Sequence, residues 1–123
     1  SDRILRINSS GTLVSTIWQD LSGGSSPRGL AFNSANQRVY WSDSVALSNN
    51  YSSINLDGSG LTQFTRSNGS ANSIAVDAAS SRLYATEIRL SPAPAIRNVT
   101  QMNLDGTSAS VINSSSTLNT NSW

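Results

Sequence analysis

Apolar residues along this chain come in short runs separated by turn-forming residues. In the clearest stretch the runs are Gly29 to Phe32, Arg38 to Trp41, Ser52 to Leu56 and Leu61 to Thr65. Each run has the length of a β-strand, and none shows the 3.6-residue period of an amphipathic helix. Ser, Asn, Asp and Gly fill the gaps between the runs. The pattern therefore predicts four short antiparallel strands and essentially no helix.

The same four-strand pattern occurs again further along the chain. Residues Gly29–Asp43 match Ser73–Glu87 at a constant offset of 44 residues, and Ile54–Ser59 match Met102–Thr107 at an offset of 48. A degraded copy of the second motif, Leu5–Gly11, opens the chain. A unit of four antiparallel strands that repeats every ~40–50 residues is typical of a β-propeller blade.

Turn residues sit at equivalent places in the two copies. Asp57-Gly58 and Asp105-Gly106 predict tight hairpins of type I′, because that turn needs positive φ and glycine adopts it easily. Asn33 and Asp77 also occupy matching positions, and each is expected to cap the end of its strand through its own side chain.

The residues of the repeat resemble a known family. Tyr40, Trp41 and Asp43, within Arg-Val-Tyr-Trp-Ser-Asp, resemble the YWTD signature of the low-density-lipoprotein-receptor class B repeat. Asn55–Ser59 and Asn103–Thr107 resemble the Asn-Leu-Asp-Gly-Ser hairpin of that repeat. The resemblance covers nearly the whole chain and implies blades of a six-bladed propeller, in which Asp43 bonds to the backbone. The second copy departs from the signature, because it reads Tyr84-Ala85-Thr86-Glu87.

The strand count predicts an incomplete propeller. We expect a half blade of two strands in residues 1–26, a full YWTD-like blade in 27–70, and a second blade with a Pro-rich insertion and polar tail in 71–123. A closed propeller needs roughly four to eight blades. The chain should therefore not be a stable monomer. Its expected partners are further blades, from the same parent chain or from other copies of this chain.

Composition removes many kinds of chemistry. The 123 residues include eight Arg but no Lys, His or Cys, and seven acidic residues leave a net charge of +1. Without His or Cys there is no conventional zinc site and no Ser–His or Cys nucleophile. So neutral a chain is not expected to bind nucleic acid, and no apolar run approaches the ~20 residues that span a bilayer. We expect no cofactor and no enzymatic activity.

Two sets of side chains have both a functional and a structural interpretation. Five aromatic residues could stack on a ligand, but four of them are expected in the core between blades; the four are Phe32, Tyr40, Trp41 and Tyr84. The fifth, Trp18, is expected to cover a neighbouring blade or copy, and the same is expected of Trp123. Four aspartates could suggest calcium, but their spacing is unlike an EF-hand loop and favours roles in turns and caps; they are Asp43, Asp57, Asp77 and Asp105.

The single glutamate and the sequons complete the candidates. Glu87 is expected to form a surface or inter-loop ion pair with Arg89 or Arg97 rather than act in acid–base chemistry. Five Asn-x-Ser/Thr sequons fall in predicted turns, loops or strand ends, namely Asn8, Asn50, Asn68, Asn98 and Asn113. The chain is so rich in Asn, Ser and Thr that chance gives a similar number. We expect N-linked glycan on at least one of Asn50, Asn68 and Asn98.

Three functional classes remain open. The favoured interpretation is a non-enzymatic extracellular or cell-surface propeller module for protein interaction, adhesion or assembly, a location that rests on the family resemblance. One alternative is a structural glycoprotein of a surface layer or filamentous appendage. Another is an oligomeric propeller lectin that binds glycan ligands.

Overall fold

The computed structural model describes residues 2–21, 23–45, 48–67, 70–89 and 95–115. These residues form ten strands and no helix, which confirms the all-β prediction. The strands are β1 (Arg3–Ile7), β2 (Leu13–Gln19), β3 (Pro27–Asn33), β4 (Arg38–Val45), β5 (Ser48–Asn55), β6 (Thr62–Ser67), β7 (Ser70–Asp77), β8 (Arg82–Arg89), β9 (Ile96–Asn103) and β10 (Ser110–Ser115).

The strands form three antiparallel sheets, as the strand count predicted. The first sheet contains β1 and β2, the central sheet runs β3-β4-β5-β6, and the third sheet runs β7-β8-β9-β10. Each four-stranded sheet is a meander in which strands that follow one another in sequence are neighbours. The repeat of the sequence is therefore a repeat of whole sheets.

Strands β4 and β5 are longer than the apolar runs that predict them. The polar residues Ser48, Asn49 and Asn50 belong to β5, where Asn50 faces Asp43 of β4 and Thr65 of β6. The expectation that Asn50 lies in a loop is wrong. Pairing with a neighbouring strand on each side satisfies the backbone of this polar run, so it needs no apolar side chains to be a strand.

The central sheet is buried on both faces. Successive side chains of a strand point to opposite faces, and β4 uses both directions. Val39 and Trp41 pack with Ile4 and Ile17 of the first sheet. Tyr40, between them, packs instead into a cluster with residues of the third sheet, and the buried members of this cluster are Tyr40, Tyr51, Ala71, Leu83, Ala85 and Met102.

β3 and β7, the first strands of the two larger sheets, approach each other closely. A Cβ atom on Gly29 of β3 would lie 2.7 Å from the backbone nitrogen of Ile74 in β7. No side chain fits in that space, so the position requires glycine. This contact fixes how near the third sheet comes to the central one.

The hairpin turns differ from the predicted type I′. The N–H of Gly58 donates to the carbonyl of Asn55 and the N–H of Asn55 donates to the carbonyl of Ser59, both at 3.0 Å. Positive φ occurs at Gly58 but not at Leu56 or Asp57. This is a type I turn closed by a left-handed glycine in a bulge, and it spares the two preceding residues a strained φ. The turns at Asn8 and Asn103 make the same pair of bonds.

The matching turns allow backbone strain to be separated from packing. A Cβ on Gly11 meets nothing within 4 Å, whereas a Cβ on Gly106 would overlap the ring of Phe64 in the central sheet. We expect Gly11→Ala to lower the free energy of unfolding by about 1–2 kcal/mol, the cost of left-handed φ for a residue with a Cβ. Gly106→Ala should cost distinctly more, as measured by urea denaturation. Equal losses would show that the Phe64 ring moves aside freely.

Candidate functional site

The carboxylate of Glu87 in β8 is a buried charged group between the central and third sheets. The residue is only 5% exposed. The hydroxyl of Tyr51 donates to Oε1 at 2.6 Å, and Thr100 Oγ1 donates to Oε2 at 2.8 Å. A guanidinium nitrogen of Arg66 lies 3.5 Å from Oε1. The predicted surface ion pair with Arg89 or Arg97 is therefore wrong, because Glu87 points into the junction.

This cluster is built to hold the sheets together. Tyr51 and Arg66 belong to the central sheet, whereas Glu87 and Thr100 belong to the third sheet. Burial and the hydrogen bond to Glu87 raise the pKa of Tyr51, so its hydroxyl stays protonated and remains a donor. Both carboxylate oxygens are occupied by donors of the protein itself. The group is thus a bridge between two sheets rather than an acid or base available to a ligand.

The repeat explains why a carboxylate stands there. Glu87 lies 44 residues after Asp43, the last residue of the Tyr-Trp-Ser-Asp motif. Asp43 is also buried, and it accepts a 2.6 Å hydrogen bond from the backbone N–H of Ser26, as the family resemblance implied. Glutamate is one methylene longer than aspartate and contacts side chains across the junction. The replacement of Asp by the only glutamate in the chain was the sequence signal for this role.

The contribution of this bridge can be measured with a matched pair of tyrosines. We expect Tyr51→Phe to lower the free energy of unfolding by about 1.5–3 kcal/mol, because it removes a hydrogen bond to a buried charged group. Tyr84→Phe is the control, since the Tyr84 hydroxyl has no hydrogen bond within the described residues. Chemical denaturation of the two variants gives the difference. Similar small losses would mean that the bridge adds nothing to packing.

A second polar cluster fixes the hairpin turns. In the central sheet Arg38 donates to Asn55 Oδ1 at 2.7 Å, and in the third sheet Arg82 donates to Asn103 Oδ1 at 2.6 Å. The asparagine at the start of each turn is thereby tied to the second strand of its blade. Sequence reasoning missed this pair, although both arginines stand at the 44-residue offset.

The aspartates of the turns have structural partners as well. Asp57 accepts hydrogen bonds from the backbone and side chain of Ser59, and Asp105 does the same with Thr107. These bonds lower the pKa of both carboxyls. Asn33 and Asp77 accept from the backbone of Ala35 and Ala79, respectively, as predicted. No group of three or more Asp or Glu residues in the described ranges could hold a metal ion.

The five aromatic residues do not form one ligand-stacking surface. Trp41 is fully buried, and its ring centroid lies 5.2 Å from that of Trp18, which covers it from the first sheet. Tyr40 is buried in the opposite junction. Phe32 and Tyr84 depart from the predicted core. Phe32 is 46% exposed, and Tyr84 is half-buried on the face of the third sheet that points away from the central sheet.

The first sheet leaves an apolar groove on one side of the central sheet. Leu30 and Phe32 of β3 lie opposite Trp41 and Val39 of β4 and so share the face that the first sheet covers. The first sheet does not cover β3, and Leu30 is therefore 55% exposed. The groove between β1 and β3 has a volume of about 330 Å³ and is lined mainly by apolar side chains, among them Leu5, Ile7, Leu30, Phe32 and Leu56.

The far face of the third sheet is a second open surface. Tyr84 and Thr86 of β8 lie opposite Gln101 and Val99 of β9 on this face. A cavity of about 390 Å³ opens here, lined by polar and apolar residues that include Thr86, Arg97, Asn98, Val99 and Asn113. No other described sheet packs against it. We refer to the groove and to this surface as the N-terminal face and the C-terminal face.

The sequons are distributed differently from the prediction. Asn50 is half-buried in β5, and its Oδ1 accepts a 2.7 Å hydrogen bond from Thr65. Asn98 is half-buried within β9 rather than in a loop. Asn8, in its turn, and Asn113, on the edge strand β10, are exposed. Asn68, the Pro-rich segment from Ser91 to Pro94 and Trp123 lie outside the described residues.

Comparison with known proteins supports the assignment of a fold. No protein-family model and no curated protein matches this chain. A chain in the crystal structure of a nidogen/laminin complex is similar over 87% of this chain and 38% of its own length, with 21% identity and a TM-score of 0.67. No helix in the described ranges is long and apolar enough to cross a membrane. The sheets and this similarity identify the chain as an array of β-propeller blades.

Proposed function

We propose that the chain is a non-enzymatic module for protein interaction or assembly, built of YWTD-like blades in a secreted or cell-surface protein. The proposal rests on one observation. The N-terminal face and the C-terminal face are open among the described residues, whereas the equivalent faces at the two junctions are each covered by a neighbouring sheet. The blades then correspond to residues 27–70 and 71–123, after a half blade in 1–26. The secreted location and the YWTD assignment rest on the resemblance of the repeat motifs.

The repeat identifies what each face is suited to contact. Ile74 and Val76, the counterparts of Leu30 and Phe32, pack against the core cluster between the central and third sheets. In β10, the edge strand of the third sheet, Ile112 stands 48 residues after Phe64, whose ring stacks on Tyr51 at 5.0 Å. Ile112 itself is 54% exposed. Exposed apolar side chains at positions that are packed in the other copy favour a surface that binds protein.

The similar solved chain is compatible with this proposal. The structure in which it occurs is described as a complex of nidogen with laminin, so that propeller-like chain was crystallised with a protein partner. The present chain spans well under half of it. The activity and partners of any longer protein that contains these blades are part of the proposal.

Sedimentation tests the two faces separately. We expect the 13.0 kDa chain to self-associate rather than sediment as a stable monomer, because both faces expose apolar side chains. Replacing Leu30 and Phe32 with Ser, or Ile112 with Ser, should each reduce association. Leu21→Ser is the control, because Leu21 is 87% exposed and lies on neither face. A cooperatively melting monomer that responds to none of these changes would contradict the proposal.

Glycosylation remains part of the proposal, at revised positions. Among the described sequons, Asn8 and Asn113 have the exposure that a glycan needs. The turn at Asn8 uses only Oδ1 as acceptor, so a glycan on Nδ2 leaves those bonds intact. Asn113 lines the C-terminal face, where a glycan would block the proposed contact. We therefore expect Asn8→Gln to lower the intact mass of chain secreted by eukaryotic cells, with Asn50→Gln as the control. A mass unaffected by amidase treatment would rule the modification out.

A further inference from the structure

The first sheet corresponds to the outer half of a blade. β1 and β2 are joined by the turn at Asn8, which makes the same backbone bonds as the turn at Asn55 between β5 and β6 and the turn at Asn103 between β9 and β10. β1 is therefore the counterpart of β5 and β9. In the larger sheets those strands pair on their inner edge with β4 and β8. Within the described residues, β1 pairs with β2 alone.

The groove lies where the inner half of that blade would sit. One wall is β1, with Leu5 and Ile7, and the other is β3, with Leu30 and Phe32. In the next junction the equivalent space is filled by the inner strands of the central sheet, and Tyr40 of β4 packs in a cluster against Ile74 and Val76. The unpaired edge of β1 and the exposed side chains of β3 thus border the same groove. The next junction shows which strands fill the equivalent space.

We propose that this groove binds a two-stranded antiparallel β-hairpin of the β3–β4 type, contributed by a polypeptide segment other than the described strands. The outer strand of the hairpin pairs through its backbone with the free edge of β1. The inner strand covers Leu30 and Phe32. This inference rests on the proposed function and specifies the partner of the N-terminal face.

The central sheet also shows which side chains the hairpin needs. Tyr40 belongs to the cluster against which Ile74 and Val76 pack. An aromatic residue at the equivalent position of the hairpin would point into the groove toward Leu30 and Phe32. The inner strand needs glycine at the position of Gly29, because the backbones approach there to within the space of a Cβ atom. The hairpin therefore needs an aromatic residue and a glycine at these two positions, in addition to apolar side chains elsewhere.

A second copy of this chain can cover the apolar side chains of the groove with its surface, but it cannot readily donate the hairpin. Its own hairpins of this type, β3–β4 and β7–β8, are already paired with β5 and β9. Donating either one would separate a complete sheet and expose its core. A segment that carries the two inner strands but no outer strands can bind without separating an existing sheet.

The test adds such a hairpin to the full chain. A second copy of residues 27–47 is placed directly before Ser1; Ser48 precedes Asn55 by seven residues, as Ser1 precedes Asn8, so the register of the repeat is kept. We expect at least tenfold slower hydrogen exchange at the amides of β1 and a higher melting temperature. The control extension carries Gly29→Val and Tyr40→Asp in the added copy only, and it should give neither effect.

A free peptide of residues 27–45 tests binding in trans. We expect it to slow exchange at β1 in the unextended chain at millimolar concentration, since linkage supplies an effective concentration of that order. The inference is overturned if the extended chain folds but β1 exchanges as before, or if the control extension protects β1 equally. Either result leaves the sedimentation of the unextended chain unaffected, so the failure of this inference is distinguishable from failure of the proposed function.

Discussion

The structure depends on the alternation of side chains along β4. Because Val39 and Trp41 point to one side of the central sheet and Tyr40 to the other, both faces of this sheet are apolar and each needs a cover. The first and third sheets supply the two covers. The glycine at position 29 brings the third sheet close enough to do so. The two junctions therefore follow from a central sheet with apolar side chains on both faces.

The strand order and repeat could be predicted from the sequence because they depend on local patterns. The short apolar runs give the order of the strands, and the Asp-Gly pairs place the β5–β6 and β9–β10 hairpins. The turn type could not be predicted, since Asp-Gly suits both type I′ and the bulged type I turn, and the choice depends on which residue adopts positive φ. The start of β5 was missed because its Ser-Asn-Asn sequence is typical of loops, and pairing on both sides overrides that preference.

The candidate site was less predictable because its contacts join residues far apart in sequence. Glu87 is buried because Tyr51 and Arg66 of another sheet lie opposite it, and nothing in the local sequence encodes that juxtaposition. Phe32 has every sequence feature of a core residue, but its burial depends on strands that the described sheets do not provide. The Arg38–Asn55 pair was detectable, because both residues recur in the second copy at the spacing of the repeat.

The two open faces differ from each other in composition and form. One is a groove beside a strand edge that is unpaired within the described residues, and the other is the outer side of a complete sheet. A contact between copies that joins one face to the other cannot have two-fold symmetry, because each molecule would use a different surface. Such heterologous contacts leave one unused face at each end of a growing assembly. The rotation between successive sheets then decides whether copies close into a ring of fixed size or continue as a helical filament.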